Sequence, residues 1–260
     1  MLMPVSHSLS AVDNPAPHLQ YQNLSHYHQL IHGTFTRHGG TSRAPYDTLN
    51  TSYDVGDLPE SVTANLRVIK RVMDADRLFF TRQIHGTGVL VLRSDAAEEF
   101  MPPSQADAMI TNVPRVALMI KQADCQGVIL FDPLENVVAN VHCGWRGNVQ
   151  NILGKVIRLM QQLFGCRGEN LVAAIGPSLG PCCAEFTTHR EIFPEYFEDF
   201  RVGESHFDLW AVSSHQLQAE GVNPNNITIS EICTRCHTDR FFSYRGERVT
   251  GRFGTVAMLK

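Results

Sequence analysis

Three residues of this 260-residue chain join reactive side chains to telling positions: His85 in QIHG (83–86), Cys125 in ADC (123–125) and His142 in VHCGWRG (141–147). Each stands beside a stretch that reads as a strand, and in α/β proteins the rigid strands aim the residues at their ends. Two imidazoles and a thiolate are donors that zinc accepts, and three protein donors leave a fourth position open for water or substrate. A thiolate beside an imidazole is equally the pairing of a covalent nucleophile and its base. The spacings of 40 and 17 residues match no compact zinc signature. A lone His or Cys at a strand end is accounted for by packing, so the coincidence of three carries the reading.

Glycine and arginine surround the three. TRHGGTS (36–42) supplies Arg37 with Gly39 and Gly40, and HCGWRG (142–147) supplies Arg146 between Gly144 and Gly147. Guanidinium groups and backbone amides at a helix start make an anion site, so Arg37 and Arg146 are the candidate phosphate ligands. IGPSLGPCC (175–183) reads as a rigid turn. CTRCH (233–237) has the form of covalent haem attachment, a chemistry of exported proteins, and no export signal is present. With Cys182 and Cys183 the same Cys233 and Cys236 make a candidate all-cysteine zinc site, but the adjacent pair lacks the usual two-residue spacer, so core packing is expected. HYH (26–28) reads as a solvated loop, and His189 and Glu191 in HRE as surface residues.

The elements that must position these groups follow from periodicity. Apolar, β-branched runs at 88–93, 106–112, 116–121, 127–132, 137–142 and 170–177 predict strands. Helical spacing predicts helices over 149–164, closed by Gly165, and over 60–73 and 209–220. Residues 1–20 lack periodicity and are expected to be a loosely held arm, leaving 21–260 as a single catalytic domain of mixed α/β class. A hydrophobic fraction of 43% and a net charge of −4 describe a globular protein without the basic face that nucleic acid or an anionic membrane would require. The start lacks the charged and apolar regions of a signal peptide, and no run is long enough to span a bilayer. A cytoplasmic location is expected, and the seven cysteines suit reduced thiols better than a disulfide framework.

TRHGGTS, NTSYDVGD (50–57), QIHGTGV (83–89), ADAMIT (106–111), KQADCQGVILFD (121–132), VANVHCGWRG (138–147), IGPSLGPCCAEF (175–186) and FFSYRGERVTGRF (241–253) resemble, in the same order, the YfiH-type family. Its members are also called laccase-domain proteins, zinc-type purine nucleoside phosphorylases or polyphenol oxidases. The resemblance implies an α/β/α-type sandwich with a large mixed sheet, similar to the catalytic domain of the cytotoxic necrotizing factor toxins. It implies that His85, Cys125 and His142 are at once the catalytic residues and the ligands of Zn2+, with copper as the alternative ion. The implied reaction is phosphorolysis of adenosine, inosine, guanosine or methylthioadenosine to base and ribose 1-phosphate, with adenosine deamination as a second activity; for its proton shuttle the sequence itself offers Asp124, the nearest acidic group. Alternatives are a Cys–His amide hydrolase editing peptidoglycan precursors, a copper-dependent polyphenol oxidase and a non-catalytic metal-binding protein. The expected partners are nucleoside and phosphate, with no nucleic acid and no membrane, and the chain is expected to act as a monomer. Gln126 departs from the small or branched polar residue of many members.

Overall fold

Strands that are apolar on both faces need a layer on each side, and the computed structural model, which describes residues 15–93 and 105–260, shows what those layers are. The strands in chain order are β1 (His18–Leu19), β2 (Leu30–Phe35), β3 (Arg77–Phe79), β4 (Val89–Leu92), β5 (Ala108–Thr111), β6 (Val116–Gln122) and β7 (Gln126–Asp132). There follow β8 (Val137–Cys143), β9 (Val172–Ile175), β10 (Arg201–Val202), β11 (His206–Phe207), β12 (Ile227–Ile229) and β13 (Phe253–Leu259). They form a five-stranded sheet, β1-β2-β13-β6-β3, a six-stranded sheet, β12-β9-β7-β8-β5-β4, and the separate hairpin β10-β11. Both large sheets mix parallel and antiparallel pairs.

The period-two alternation of β6 shows how the layers stack. Val116, Leu118 and Ile120 join Ile129, Phe131 and Val138 of the other sheet in one cluster, so the two sheets face each other. Ala117 and Met119 point the opposite way, onto Val62, Leu66 and Ile69 of a helix over Pro59–Val72. On the far side, Val128, Leu130 and Ala139 meet Ile152, Leu153 and Val156 of a helix over Ile152–Phe164. The mixed α/β class holds, but the layers run helix, sheet, sheet, helix, and the single large sheet expected is divided in two. The central strands β6, β7 and β8 bury one face against a helix and the other against the second sheet, a choice that an apolar run does not disclose.

The helix expected over 149–164 is likewise two. A short helix, Trp145–Val149, stops, and Asn151 takes a left-handed φ of +49°, its side chain accepting from Gly154 N at 3.0 Å to cap the next helix. The helices expected at 60–73 and 209–220 are Pro59–Val72 and Leu209–Ala219. Of the arm expected over 1–20, residues 15–20 belong to the fold: β1 pairs with β2, and Ala16 and Leu19 are buried. Residues 1–14 lie outside the described residues. No helix among the described residues is long and apolar enough to cross a membrane.

The functional consequence is at one end of the sheets. β6 lies in one sheet and β7 in the other, so Ala123–Asp124–Cys125 is the turn by which the chain crosses between them. β8 ends beside that turn, where His142 pairs with Gly127, and β13 begins there, where Phe253 pairs with Gln122.

Candidate functional site

The QIHG turn is built around a carboxylate. His85 has a left-handed φ of +59°, and the backbone N–H groups of Ile84, His85 and Gly86 all donate to Asp107, at 3.2, 2.9 and 2.8 Å. Asp107 is fully buried just before β5, and its Oδ1 also lies 2.8 Å from His142 Nδ1. Burial pushes the carboxyl upward, but the His142 ring and the Gly86 and Ile84 amides outweigh it and hold the group below its ordinary value. Asp107 therefore fixes the His85 backbone and the His142 ring together, and it leaves Nε2 of His142 as the ring nitrogen free to act. ADAMIT contains this residue, but an acid one position before a strand carries no signal of such a role in sequence.

Cys125 completes the group. Its Sγ lies 3.9 Å from His85 Nε2, and the rings of His85 and His142 meet edge to face with centroids 4.9 Å apart. Burial would raise the thiol, but His142 and then His85 reverse this and lower it to about 6. Burial likewise opposes the charge on His142, and the Cys125 sulfur with Asp107 raises that ring to about 9. A thiolate–imidazolium pair between those values is the chemical meaning of the two shifts. Gly144 leaves room for the two donors beside it: a Cβ there would stand 2.8 Å from Cys125 Sγ and 3.4 Å from His85 Cδ2.

These residues fit a zinc-type ion. The donor atoms of His85, Cys125 and His142 all lie within 4.8 Å of one another. Tetrahedral zinc with ordinary Zn–S and Zn–N bonds would set sulfur and nitrogen about 3.6 Å apart, close to the 3.9 Å between Cys125 Sγ and His85 Nε2. The Asp107–His142 bond is the outer support that metal-ligating histidines use.

A cavity of about 710 Å³ opens over the three, with Trp145, Phe186 and Tyr244 among its apolar walls and Lys121, Arg146, Arg245, Arg248 and Arg252 as its cations. Lys121 is buried, with its Nζ 5.0 Å from the Phe80 ring centroid, and burial lowers its pKa. Burial lowers that of Arg252 too, against the pull of Cys125 and Asp124. Of the two arginines read from sequence, Arg146 lines the cavity, exposed and with its guanidinium 4.4 Å over the Trp145 ring. Arg37 does not line it. Its guanidinium is taken by Asp47 O at 2.9 Å, Thr238 O at 2.7 Å and Glu247 at 2.8 Å, and lies 4.5 Å over Phe242. It is a buried tie between the 36–50 and 238–247 segments and not a phosphate ligand. Lys121 and Arg252, which the sequence reading missed, flank the Ala123–Cys125 turn because β6 ends and β13 begins there.

Two other expectations change. Asp124 is not placed as a proton shuttle, because its carboxylate accepts from Thr234 Oγ1 at 2.7 Å, Ser243 Oγ at 2.6 Å and Arg245 N at 2.6 Å. With a left-handed φ of +92° it is an anchor for the turn. His189 is buried against Phe207, while Glu191 is exposed as expected. Gln126 is structural, donating to Leu209 O at 2.8 Å and accepting from Ser213 Oγ at 2.6 Å.

A family model described as multi-copper polyphenol oxidoreductase laccase matches residues 31–260. A purine nucleoside phosphorylase of Bacteroides thetaiotaomicron is 32% identical over 247 residues, covering 87% of this chain and 90% of its own length. A purine nucleoside phosphorylase of Streptomyces coelicolor is 34% identical, covering 88% of this chain and 95% of its own. The crystal structure of the Bacillus licheniformis hypothetical protein YfiH superposes with a TM-score of 0.88 at 25% identity, over 98% of this chain and 99% of that one. YlmD of Geobacillus stearothermophilus gives a TM-score of 0.85 at 26% identity, over 98% of this chain and 100% of that one.

Proposed function

The chain belongs to the family described as multi-copper polyphenol oxidoreductase laccase, and on that premise we propose that it is a purine nucleoside phosphorylase with its reaction centre at His85, Cys125 and His142. One observation carries the reading: one cavity is lined by a zinc-type donor trio, by Lys121 and four arginines, and by the aromatic rings of Trp145, Phe186 and Tyr244. The relatives named purine nucleoside phosphorylase support it. Phosphate is an anion that must be held against the sugar while the base departs, and a purine offers a flat face to aromatic side chains.

In phosphorolysis a phosphate oxygen bonds to the anomeric carbon as the bond from that carbon to the purine nitrogen breaks, and the departing nitrogen gains the electron pair and then a proton. Arg252 and Lys121 are the side chains we assign to phosphate from within the cavity, with Arg146 at its mouth, each as a fixed positive charge that needs no reorganisation. Trp145 and Phe186, whose rings lie 6.3 Å apart, and the more exposed Tyr244 are assigned to the purine. The metal in this reading is zinc, held by His85, Cys125 and His142, and when bound it supplies a Lewis-acid position in the cavity. Asp107 holds His142 in the tautomer that presents Nε2.

Adenosine deamination is proposed as a second activity of the same centre, in which water replaces the amino group and ammonia leaves. A Cys125 thiol lowered by its two imidazole neighbours, with Sγ 3.9 Å from His85 Nε2, also suits a nucleophilic cysteine, so the amide-hydrolase reading is kept as the alternative. Copper oxidase chemistry with several metal centres is disfavoured by the donor set: among the described residues the only other candidate group is made of four cysteines. The deciding experiment incubates the purified protein with a nucleoside panel, with and without inorganic phosphate, and separates the products. Ribose 1-phosphate formed only with phosphate is the expected result. Free base released at full rate without phosphate refutes phosphorolysis.

A further inference from the structure

The pair Cys182 and Cys183 is distant in sequence from the pair Cys233 and Cys236, yet the four sulfur atoms all lie within 4.8 Å of one another. The chain brings them together by pairing two loops. Ser178 N donates to Ile232 O at 3.1 Å and Thr234 N donates to Ser178 O at 3.0 Å, a two-bond ladder between the loop after β9 and the segment after β12. Gly180 lets the loops touch: a Cβ there would stand 2.7 Å from the Trp210 ring and 3.2 Å from Cys233 Cβ. All four are free cysteines.

We propose that these four cysteines bind a second zinc ion, as a structural tetrathiolate site distinct from the centre at Cys125. Tetrahedral zinc with four sulfur donors sets neighbouring sulfurs about 3.8 Å apart, from Zn–S bonds of about 2.3 Å. Cys236 Sγ lies 3.6 Å from Cys182 Sγ and 3.6 Å from Cys183 Sγ. Burial raises the Cys233 thiol, but the backbone amides of Gly180 and Cys236 outweigh it and hold the group below its ordinary value, the kind of outer support that a metal-bound thiolate needs. The Arg245 guanidinium bonds to Cys183 O at 3.5 Å and Glu185 O at 3.0 Å, placing a cation next to a site whose four thiolates and one Zn2+ carry net negative charge. Binding requires loss of four thiol protons to solvent and no oxidant. Cys182 and Cys236 are exposed, so the ion has a route in.

The site would also serve the cavity. Leu179 N donates to Asp124 O at 2.8 Å from the first loop, and Thr234 Oγ1 reaches Asp124 Oδ1 at 2.7 Å from the second. An ion that clamps the two loops holds the residue next to Cys125 from both sides.

The test strips the full-length protein of metal under reducing conditions and titrates it with Co2+, whose tetrathiolate complexes have intense visible and near-ultraviolet sulfur-to-metal bands. The expected titration saturates at two ions per chain. The His85→Ala/Cys125→Ala variant should keep one ion and the tetrathiolate spectrum, and Cys236→Ser should lose that spectrum while keeping the ion at Cys125. Should Cys236→Ser fail to fold, the wild-type chain still decides: zinc should protect four more thiols from a thiol reagent than the Cys125 centre accounts for. Loss of all metal from His85→Ala/Cys125→Ala, no protection by zinc, or a disulfide within the cluster in protein purified under reducing conditions would overturn the proposal. None of these outcomes depends on whether nucleosides are phosphorolysed.

Discussion

Asp107 and His142 are joined twice: the carboxylate lies 2.8 Å from the ring Nδ1, and the His142 backbone N–H donates to the Asp107 carbonyl at 2.7 Å. The first bond sets the ring and the second sets the strand that carries it. Since the same carboxylate gathers the amides of Ile84, His85 and Gly86, one buried acid fixes two of the three donors. Asp107→Asn keeps the volume but gives up the charge and turns an NH2 group toward donors. It should weaken metal affinity about 10- to 100-fold and lower stability by about 1–3 kcal/mol. Competition with a metal chelator and a denaturant titration measure the two effects, and unchanged affinity would remove Asp107 from its supporting role.

In the metal-free protein the Cys125–His142 pair predicts a pH window. Cys125 is depressed to about 6, so its contribution to stability is present above the ordinary thiol value and is lost as pH falls through about 6. His142 is raised to about 9, so its contribution is complete below the ordinary imidazole value and is lost as pH rises through about 9. The pair is therefore worth most between these limits. Alkylation of Cys125 in stripped protein should stay fast at neutral pH and slow only below about pH 6, and His142→Ala should move that transition upward. A transition at ordinary thiol pH in the unaltered protein would show that no ion pair forms.

The three central residues are legible in sequence because reactive side chains next to strand ends are rare enough to notice. Their supports are not. Asp107 is a buried acid whose partners lie 21 to 35 positions away, and Arg252 becomes a neighbour of Cys125 only when β13 pairs with β6, while Lys121, four residues before Cys125, carries no mark in sequence that sets it apart from any strand-end lysine. Arg37 misled for the opposite reason: glycines beside an arginine suggest an anion site, but here Gly39 and Gly40 pack against backbone at Pro15, Ala16 and Thr48. Strands β2 and β13 escaped the periodicity because His32, Gly33, Thr34, Gly254 and Thr255 interrupt their apolar runs. Some of those groups are satisfied internally, Thr34 Oγ1 lying 2.9 Å from Thr255 Oγ1 and His32 Nε2 accepting from Tyr21 N at 2.9 Å. The four cysteines were read as packing, since spacing between adjacent Cys182 and Cys183 says nothing about which segment folds against them.

Gly144→Ala should separate the metal centre from the fold. The backbone φ of −82° suits any residue, so the substitution carries no conformational penalty of its own. The new methyl group would stand 2.8 Å from Cys125 Sγ and must displace that sulfur or the His85 ring. Metal affinity and turnover should fall at least about tenfold, consistent with the loss of support at a ligand, while the melting temperature of the stripped protein stays near that of the parent. Full metal binding with Cys125 in place would mean that the thiol is not a donor.

The cavity cations give the last prediction, a contrast between residues that the sequence could not tell apart. If Arg252 and Arg146 hold phosphate, Arg252→Met and Arg146→Met should raise the KM for phosphate and leave the KM for nucleoside nearly unchanged, because a charge-assisted bond to one substrate is lost from that substrate alone. Arg252 is the more enclosed and should show the larger effect, roughly tenfold or more for a loss of about 1.5–3 kcal/mol. Arg37→Met should do the reverse. Its guanidinium serves Asp47, Thr238 and Glu247, so it should lower stability by about 1.5–3 kcal/mol and leave the phosphate KM of the folded enzyme alone. Steady-state kinetics with phosphate varied at saturating nucleoside, alongside denaturant titration of each variant, make the comparison. Equal increases in both KM values for Arg252→Met would turn that residue into a structural one as well, and a phosphate-specific defect in Arg37→Met would return the anion site to the TRHGGTS segment.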